Sequence, residues 1–378
     1  MKDQIRVESG IAPHRDAMSS EIESFSPATI AATATALPPF RIGREEVKTY
    51  LQRVFSLDAA RLQAMLAVVD HSQVKQRYCI HPIDHIISPR PLDQISREYA
   101  EHAVRLGRTA TEECLARAGL SAADVDLFIT VSCTGVMIPS LDAHLANLLG
   151  FRPDVRRLPI TELGCAAGAA ALARAADFVR AWPGSTVLVV AVELPSLTFQ
   201  RHDTSQANLI SSILFGDGAA AVVVTGRPAR GPRIVRSESF LFPDSLGAMG
   251  FDLTADGFHI VLSRDVPELI RAEVGGLVRD FLERANLCRD QLDAYILHPG
   301  GQKLLAFIEE ELGLSPADTE CSWHVLREYG NQSSASVLFV LHESFARRTP
   351  PPGAHGLLAA FGPGFSADML LLRWDGPV

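Results

Sequence analysis

Two pairs of segments in this sequence repeat each other at almost the same spacing, and this feature restricts the possible folds more than any other. Residues 120–131 (LSAADVDLFITV) resemble residues 287–298 (LCRDQLDAYILH), and residues 164–172 (GCAAGAAAL) resemble residues 330–338 (GNQSSASVL). The offset is 167 residues for the first pair, from 120 to 287, and 166 residues for the second, from 164 to 330. This repeat predicts a duplicated fold. Because small residues let helices approach closely, we expect the two helix starts to lie side by side and to face one shared site.

The chain alternates short apolar runs with longer stretches of helical period, which is typical of βαβ layering. This pattern predicts an α/β fold with helices on both faces of the sheets, and 378 residues are enough for two cores. The stretch 226–232 (GRPARGP) has the composition of a linker. We therefore predict a polar, mobile extension at residues 1–26, an N-terminal half at 27–226 and a C-terminal half at 227–378.

Charge and cysteine content exclude several classes of function. The formal net charge is −9, which opposes a broad nucleic-acid interface or an anionic membrane surface as partner. The longest apolar runs fall far short of the roughly 18 residues that cross a bilayer, and the N-terminus lacks the apolar core of a secretory signal. Six cysteines are scattered with no CxxC pair, which is poor for a disulfide framework or a zinc site. These features predict a cytoplasmic protein.

Cys165 is the strongest candidate nucleophile. It follows Gly164 and directly precedes an alanine-rich helix-forming run. The free N–H groups and partial positive charge of a helix start favour the thiolate, so we expect a lowered pKa. The alternative is a small buried cysteine packed beside alanines.

His298 and Asn331 complete a possible catalytic group. His298 follows the apolar run 294–297 and precedes Pro299, so it stands where a strand ends and ligands of α/β folds bind. By itself Asn331 is read as a helix cap, but its match to Cys165 in the repeat favours a role at the shared site. Together the three side chains offer a thiol, an imidazole and an amide donor, which is the equipment for acyl transfer through a thioester.

The motifs that carry these residues resemble the type III polyketide synthases of the chalcone synthase family. They are ELGCAAG at 162–168, LFGDGAAA at 214–221, ILHPGG at 296–301, YGNQSSA at 329–335 and FGPGF at 361–365. The resemblance runs from about residue 28 to the C-terminus. It implies a thiolase-like fold, in which two duplicated βα halves form α-β-α-β-α layers, and a homodimer. It places the Cys-His-Asn triad of the family on Cys165, His298 and Asn331.

The resemblance also implies a set of substrate-binding residues. They are the two gatekeeper phenylalanines Phe215 and Phe258, the cavity residues Pro195, Thr198 and Ser333, the cyclisation loop Gly362, Pro363 and Gly364, the dimer-loop residue Ile138, and the coenzyme A contacts Lys75 and Arg77. Lys75 and Arg77 alternate about Gln76, so on a strand they are expected to face one way; the alternative, which the sequence does not disfavour, is a solvated surface pair. His81 and His85 are four residues apart, but Pro82 between them weakens a helical metal site, and we assign no metal.

The implied activity is iterative condensation on coenzyme A thioesters. An acyl-CoA starter is loaded on Cys165, malonyl-CoA loses CO₂ to give an enolate, and repeated condensation builds a chain that cyclises to a pyrone or phenolic product. Decarboxylation generates the carbanion, so no cofactor is expected. Two alternatives stay open: a single-round ketoacyl synthase dependent on acyl carrier protein, and a non-catalytic thiolase-fold protein that binds acyl-CoA. Starter, number of extensions and product are not predicted.

Overall fold

A computed structural model describes residues 27–347 and 350–375 of the chain. The predicted extension at residues 1–26 lies outside the described residues. The helices are α1 (Arg44–Val54), α2 (Ala59–His71), α3 (Ile83–Ile86), α4 (Leu92–Ala118), α5 (Leu141–Leu149), α6 (Ala167–Ala181), α7 (Gln206–Leu214), α8 (Val266–Glu283), α9 (Gln302–Leu312), α10 (Glu320–Tyr329) and α11 (Ser336–Arg347). The strands are β1 (Thr29–Ala36), β2 (Phe40–Gly43), β3 (Gln76–Cys79), β4 (Leu127–Val131), β5 (Arg156–Ile160), β6 (Thr186–Glu193), β7 (Gly218–Thr225), β8 (Pro232–Leu241), β9 (Met249–Thr254), β10 (Gly257–Leu262), β11 (Leu292–Leu297), β12 (His355–Gly362) and β13 (Ser366–Trp374).

The main sheet has nine strands in the order β11-β12-β13-β8-β1-β7-β6-β4-β5. Its two sides have the same pattern. In the N-terminal side β4 and β6 are parallel, while β6 with β7 and β7 with β1 are antiparallel. In the C-terminal side β11 and β12 are parallel, while β12 with β13 and β13 with β8 are antiparallel. The two sides meet where β1 pairs with β8 at Thr29 and Arg233. Four strands of each side therefore correspond, which confirms the predicted duplication, and the edge strand β5 has no counterpart in the described part of the C-terminal side.

The repeated segments have the same local structure in both halves. Each first segment runs from a helix end through a short 3-10 turn, Ala122–Asp124 or Arg289–Gln291, into the buried strand β4 or β11. Each second segment opens a central helix, α6 or α11, through a 3-10 turn, Gly164–Ala166 or Ser333–Ala335. Both copies therefore have the predicted small-residue helix start, but the turns begin 169 residues apart, from 164 to 333, so Asn331 lies before its turn whereas Cys165 lies within its turn.

Helices α6 and α11 form the middle layer. Both contact strands of each side of the sheet and also contact each other. A large apolar cluster of Ala, Val, Leu and Phe side chains surrounds them, whereas α4 covers the outer face of the N-terminal side and α8 and α9 cover the outer face of the C-terminal side. This gives the predicted α-β-α-β-α layers. The two central helices touch so closely at Gly168 that a Cβ atom there would lie 2.3 Å from the Ser334 carbonyl oxygen.

Within the described part of the chain, none of the helices combines the length and the apolar character required to cross a membrane.

Candidate active site

Cys165 lies in the 3-10 turn Gly164–Ala166 that leads into the central helix α6. Its side chain is buried, and burial raises the pKa of the thiol to about 12. The expectation that the helix start lowers this pKa is wrong for the free thiol, because the desolvation of a buried thiolate outweighs the helix-end field. The sulfur therefore needs a neighbouring base that takes its proton before it can act as a nucleophile.

Asn331 is both a cap and an amide donor. Its Oδ1 accepts hydrogen bonds from the Ser333 backbone N–H at 2.8 Å and from Ser336 Oγ at 3.1 Å, which satisfies the start of α11. Its Nδ2 donates to the Gly300 carbonyl at 3.1 Å. Since an amide nitrogen has two N–H groups, one donor is left for a ligand. The capping contacts fix the orientation of that donor.

Ser333 connects the thiol to the asparagine. Its φ of +48° is in the left-handed region, which costs about 1 kcal/mol or more for a non-glycine residue. The Asn331 cap holds this conformation, and Ser333 Oγ lies 3.4 Å from Cys165 Sγ and 3.3 Å from Cys133 Sγ. The strained residue thus places a hydroxyl between two thiols.

His298 follows β11 directly, as predicted, and its backbone N–H donates to the Ala359 carbonyl at 2.9 Å. The imidazole is buried, and burial lowers the pKa of His298 to about 4. The ring Nδ1 has no hydrogen-bond partner among the described residues. A neutral imidazole can accept a proton from the thiol.

Cys165 and Asn331 are linked through Ser333, and Asn331 reaches the loop that follows His298. Cys165 Sγ lies 3.4 Å from Ser333 Oγ, the Ser333 N–H donates to Asn331 Oδ1, and Asn331 Nδ2 donates to the Gly300 carbonyl. The Gly300 N–H in turn donates to the His298 carbonyl at 3.0 Å. The network therefore joins two of the predicted catalytic side chains and the backbone beside the third.

The predicted cyclisation loop closes over the cysteine. Pro363 packs against Gly164, where a Cβ atom would lie 2.5 Å from the proline Cδ. Gly362 is equally close to Leu163 and Ala166. Only residues without a Cβ fit at these two glycine positions. The loop with Gly364 thus borders the nucleophile.

Phe215 lies at the end of α7 and pairs through its backbone with Asn331 in an isolated parallel bridge. It lines a pocket together with the predicted cavity residues Pro195 and Thr198. The Thr198 hydroxyl donates to the Pro195 carbonyl at 3.0 Å, so this hydroxyl is already paired. The remaining lining includes apolar side chains of α3, Ile83 and Ile86.

Asp217 holds the Pro195–Thr198 turn in place. Its carboxylate accepts hydrogen bonds from the Ser196 N–H at 2.9 Å, from Ser196 Oγ at 2.6 Å and from the Ile80 N–H at 2.8 Å. Burial raises the pKa of Asp217 to about 6. The GDG motif thus positions the pocket wall.

Phe258 lies on β10, in the hairpin β9–β10, and meets Phe251 edge to face at 5.7 Å between ring centroids. Its carbonyl accepts a hydrogen bond from Gln200 Nε2 at 3.1 Å. Strand β10 also contacts α7 and the Pro195–Thr198 turn. Phe258, the second predicted gatekeeper, therefore lies on a strand that contacts the helix ending at Phe215, the first predicted gatekeeper.

The expectation that Lys75 and Arg77 face one way is wrong. Lys75 is exposed and lies 3.7 Å from Glu328. Arg77 is only 5% exposed, and its guanidinium donates to the carbonyls of Ser212 and Ile213 at 2.6 and 2.7 Å. These are carbonyls of the last turn of α7, which have no partner within the helix and attract a cation. Arg77 therefore fixes the helix end before Phe215 and is not available to a phosphate.

Ile138 is 93% exposed in the loop between β4 and α5, and Val136 nearby is 57% exposed. Strand β5, which forms the edge of the main sheet, is exposed along most of its length. Val136, Ile138 and most side chains of β5 therefore lie outside the apolar core of this chain.

Sequence reasoning missed two residues at the site, Cys133 and Glu193. Glu193 ends β6 and is fully buried; it accepts hydrogen bonds from Thr134 Oγ1 at 2.8 Å, from the Cys133 N–H at 3.1 Å and from Ser334 Oγ. Burial raises the pKa of Glu193, and it raises the pKa of Cys133 well above the usual value. Both residues follow or end apolar strands, so the strand-end argument that selected His298 would also have selected them.

Two sequence-family models match the chain. The N-terminal domain of chalcone and stilbene synthases matches residues 16–228, and the C-terminal domain of the same enzymes matches residues 233–374.

Similar proteins and structures agree with these matches. The 1,3,6,8-tetrahydroxynaphthalene synthase of Streptomyces peucetius subsp. caesius is 40% identical over 352 residues, which cover 92% of this chain and 93% of that protein. The phloroglucinol synthase of Pseudomonas fluorescens is 33% identical over 353 residues, which cover 92% of this chain and 99% of that protein. The crystal structure of the 1,3,6,8-tetrahydroxynaphthalene synthase of Streptomyces coelicolor A3(2), a bacterial type III polyketide synthase, matches with a TM-score of 0.89 at 36% identity and covers 92% of this chain and 100% of that chain.

Proposed function

Because the chain belongs to the chalcone and stilbene synthase family, we propose that it condenses malonyl-CoA repeatedly onto an acyl-CoA starter held on Cys165. The chain is a type III polyketide synthase and therefore an acyltransferase. The observation that carries the proposal is the network from Cys165 through Ser333 and Asn331 to the loop of His298. It supports a site in which the thiol, the amide donor and the imidazole act on one acyl group.

The loading step uses the neutral thiol and the neutral imidazole. As Cys165 Sγ attacks the thioester carbonyl, its proton passes to His298, and the oxyanion accepts a hydrogen bond from Asn331 Nδ2. The C–S bond to coenzyme A then breaks, and the coenzyme A thiolate takes the proton from the imidazolium. The products are the acyl-enzyme thioester and free coenzyme A.

The extension step forms a carbon–carbon bond. Loss of CO₂ from malonyl-CoA leaves the electron pair of the broken bond on an enolate, whose oxygen is stabilised by Asn331 and by His298. The enolate carbon attacks the acyl group and expels the Cys165 thiolate, which takes up one proton from solvent and so returns to the neutral thiol. The elongated CoA thioester can be loaded again. The reaction written in this way consumes no redox cofactor and no metal.

We assign the remaining predicted residues to this reaction as follows. Phe215, Phe258, Pro195 and Thr198 border the acyl chain, and Ser333 with the loop Gly362–Gly364 borders the thioester. Lys75 is exposed and directly precedes β3, the strand that contains Arg77. It is the candidate contact for a coenzyme A phosphate. Arg77 acts as a positioning residue for α7 and Phe215.

We also propose a homodimer in the cytoplasm. The exposed edge strand β5 and the exposed apolar side chains Val136 and Ile138 are features that a partner subunit would cover. Analytical ultracentrifugation tests this assembly, and a monomer at micromolar concentration would contradict it.

The direct test of function is incubation of the purified protein with malonyl-CoA, alone and with a panel of aliphatic and aromatic acyl-CoA starters. Mass spectrometry should detect products that contain more than one malonyl-derived unit. A single condensation that requires acyl carrier protein would support the ketoacyl synthase alternative, and acyl-CoA binding without any product would support the non-catalytic one.

We predict that His298→Ala changes the pH dependence of Cys165 alkylation. Burial raises the pKa of the thiol, so without the imidazole the thiolate fraction is small at neutral pH and increases only as the pH rises. Iodoacetamide should therefore label Cys165 in the variant at least about tenfold more slowly at pH 7, with the difference shrinking at high pH. Peptide mapping by mass spectrometry measures the rate.

The matched control is His71→Ala, because His71 is an exposed histidine at the end of α2 that bonds only to the Ala67 carbonyl in its own helix. Identical pH profiles for His298→Ala and His71→Ala would contradict the assignment of His298 as the proton acceptor.

A further inference from the structure

A group of three metal-ligating side chains lies outside the site described above. His81 follows β3, His85 is in the short helix α3, and Glu98 is in the second turn of α4. Their ligating atoms all lie within 4.8 Å of one another. The sequence argued against this grouping because Pro82 separates the two histidines. The structure shows that Pro82 is the N-cap of α3, and the chain there still brings the two rings to 4.0 Å between centroids.

The distances suit a divalent transition-metal ion. His81 Nε2 lies 3.2 Å from Glu98 Oε2, and His85 Nε2 lies 3.2 Å from Glu98 Oε1. Tetrahedral ligands at about 2.0–2.1 Å from an ion are separated by roughly 3.3 Å. Each imidazole nitrogen is therefore at the ligand–ligand spacing of such a site from one of the two carboxylate oxygens, and a small rotation of the Glu98 carboxylate would present one oxygen to both.

One of the imidazole nitrogens is without a hydrogen bond. His81 Nε2 is buried and has no hydrogen-bond partner among the described residues, although the carboxylate is near. A buried polar nitrogen without a partner costs free energy unless something else occupies its lone pair. A metal ion bound at Nε2 removes this cost, with the ring proton on Nδ1.

The surroundings fix the ligands in place. Glu98 Oε1 accepts a hydrogen bond from Gln94 Nε2 at 2.8 Å, and Oε2 accepts one from Arg90 NH1 at 2.5 Å. Such second contacts orient a ligating carboxylate. The Arg90 guanidinium also offsets the negative charge of the Glu98 carboxylate. Binding must therefore depend mainly on the two imidazoles, which favours a transition-metal ion over Mg²⁺ or Ca²⁺. The His85 side chain is 37% exposed, so water can reach the remaining coordination position.

We propose that His81, His85 and Glu98 bind one divalent transition-metal ion of the Zn²⁺ or Co²⁺ type. The ion links α3 to α4. Because Ile83 and Ile86 of α3 line the pocket beside Phe215, the ion holds that wall of the pocket in position. The site is structural, and it does not depend on the function proposed above.

The test is a titration of the full-length protein, freed of metal with EDTA, with CoCl₂. We expect one Co²⁺ per chain and visible d–d bands without a thiolate-to-cobalt charge-transfer band, since the ligands are nitrogen and oxygen. His81→Ala, His85→Ala and Glu98→Gln should each weaken binding about tenfold or more. His71→Ala should leave it unchanged.

Three outcomes would overturn the proposal: no binding at one equivalent of Co²⁺, a charge-transfer band that indicates cysteine ligands, or wild-type affinity in both histidine variants. His85→Ala is the decisive variant if His81→Ala does not fold, because the His85 side chain is partly exposed. A rise in melting temperature with Co²⁺ in the wild type, absent in His85→Ala, gives an independent readout.

Discussion

Cys165→Ala is expected to abolish formation of the acyl-enzyme and to lower product formation at least about a thousandfold, because it removes the sulfur that forms the proposed thioester. The substitution removes only a sulfur atom from a buried turn, and alanine follows at the next two positions. The fold should therefore persist. Intact-protein mass spectrometry after incubation with an acyl-CoA measures the loading step directly, and product formation from malonyl-CoA measures the complete reaction.

The matched control for this variant is Cys114→Ala. Cys114 is also a buried cysteine, but it lies in α4 on the outer face of the sheet, where its thiol donates to the Ala32 carbonyl at 3.6 Å. Cys114→Ala should cost about 1 kcal/mol or less of stability and retain acyl loading. A Cys165→Ala enzyme that still carries an acyl group would falsify the nucleophile assignment.

Gly168→Ala is expected to destabilise the fold by about 3 kcal/mol, although alanine is normally favoured over glycine in a helix by about 1 kcal/mol. The added Cβ would lie 2.3 Å from the Ser334 carbonyl oxygen and 2.9 Å from Val337 Cγ1. The carbonyl belongs to the backbone and cannot rotate away, so α6 and α11 must separate. In urea denaturation this loss should lower the urea concentration at the midpoint of unfolding. The slope of the unfolding free energy against urea concentration should stay unchanged.

Gly275→Ala makes the same chemical change in the long helix α8, where a Cβ would lie 3.7 Å from its nearest neighbour. This variant should be neutral or more stable by up to about 1 kcal/mol. Effects of equal sign and size at the two glycines would show that the close helix contact does not determine the stability of the fold. Because Cys165 and Asn331 lie in the segments that lead into α6 and α11, Gly168→Ala should also lower activity in the fraction that stays folded.

The repeat in the sequence predicted the architecture because both copies preserve local features. Each copy keeps a turn between a helix and a buried strand and a small-residue helix start, and these features depend on neighbours in sequence. The position of Cys165 and Asn331 near the two corresponding helix starts followed from this repeat. The alternation rule for Lys75 and Arg77 gave the wrong answer because the partners of Arg77 are carbonyls at the end of α7, more than one hundred residues away.

Features that depend on burial or on distant partners were beyond sequence reasoning. The pKa of Cys165 is raised because the central layer excludes water, and no local motif reports that exclusion. Ser333 was expected only as a cavity residue, whereas its left-handed backbone makes it the link between two thiols. The carboxylate near His81 and His85 is that of Glu98 in α4. Its position depends on how α4 packs on the sheet, which the local sequence does not report.

The contact at Gly168 also limits how enzymes built on this plan can diversify. A residue with a Cβ does not fit at Gly168 without moving the start of α11, so substitution at this contact is restricted. Phe215 lies outside this contact and lines a pocket with side chains of α3 and of the Pro195–Thr198 turn. If the chain has the proposed function, substitutions that change chain length or ring closure are therefore expected in this pocket wall, whereas the contact between the central helices should stay unchanged.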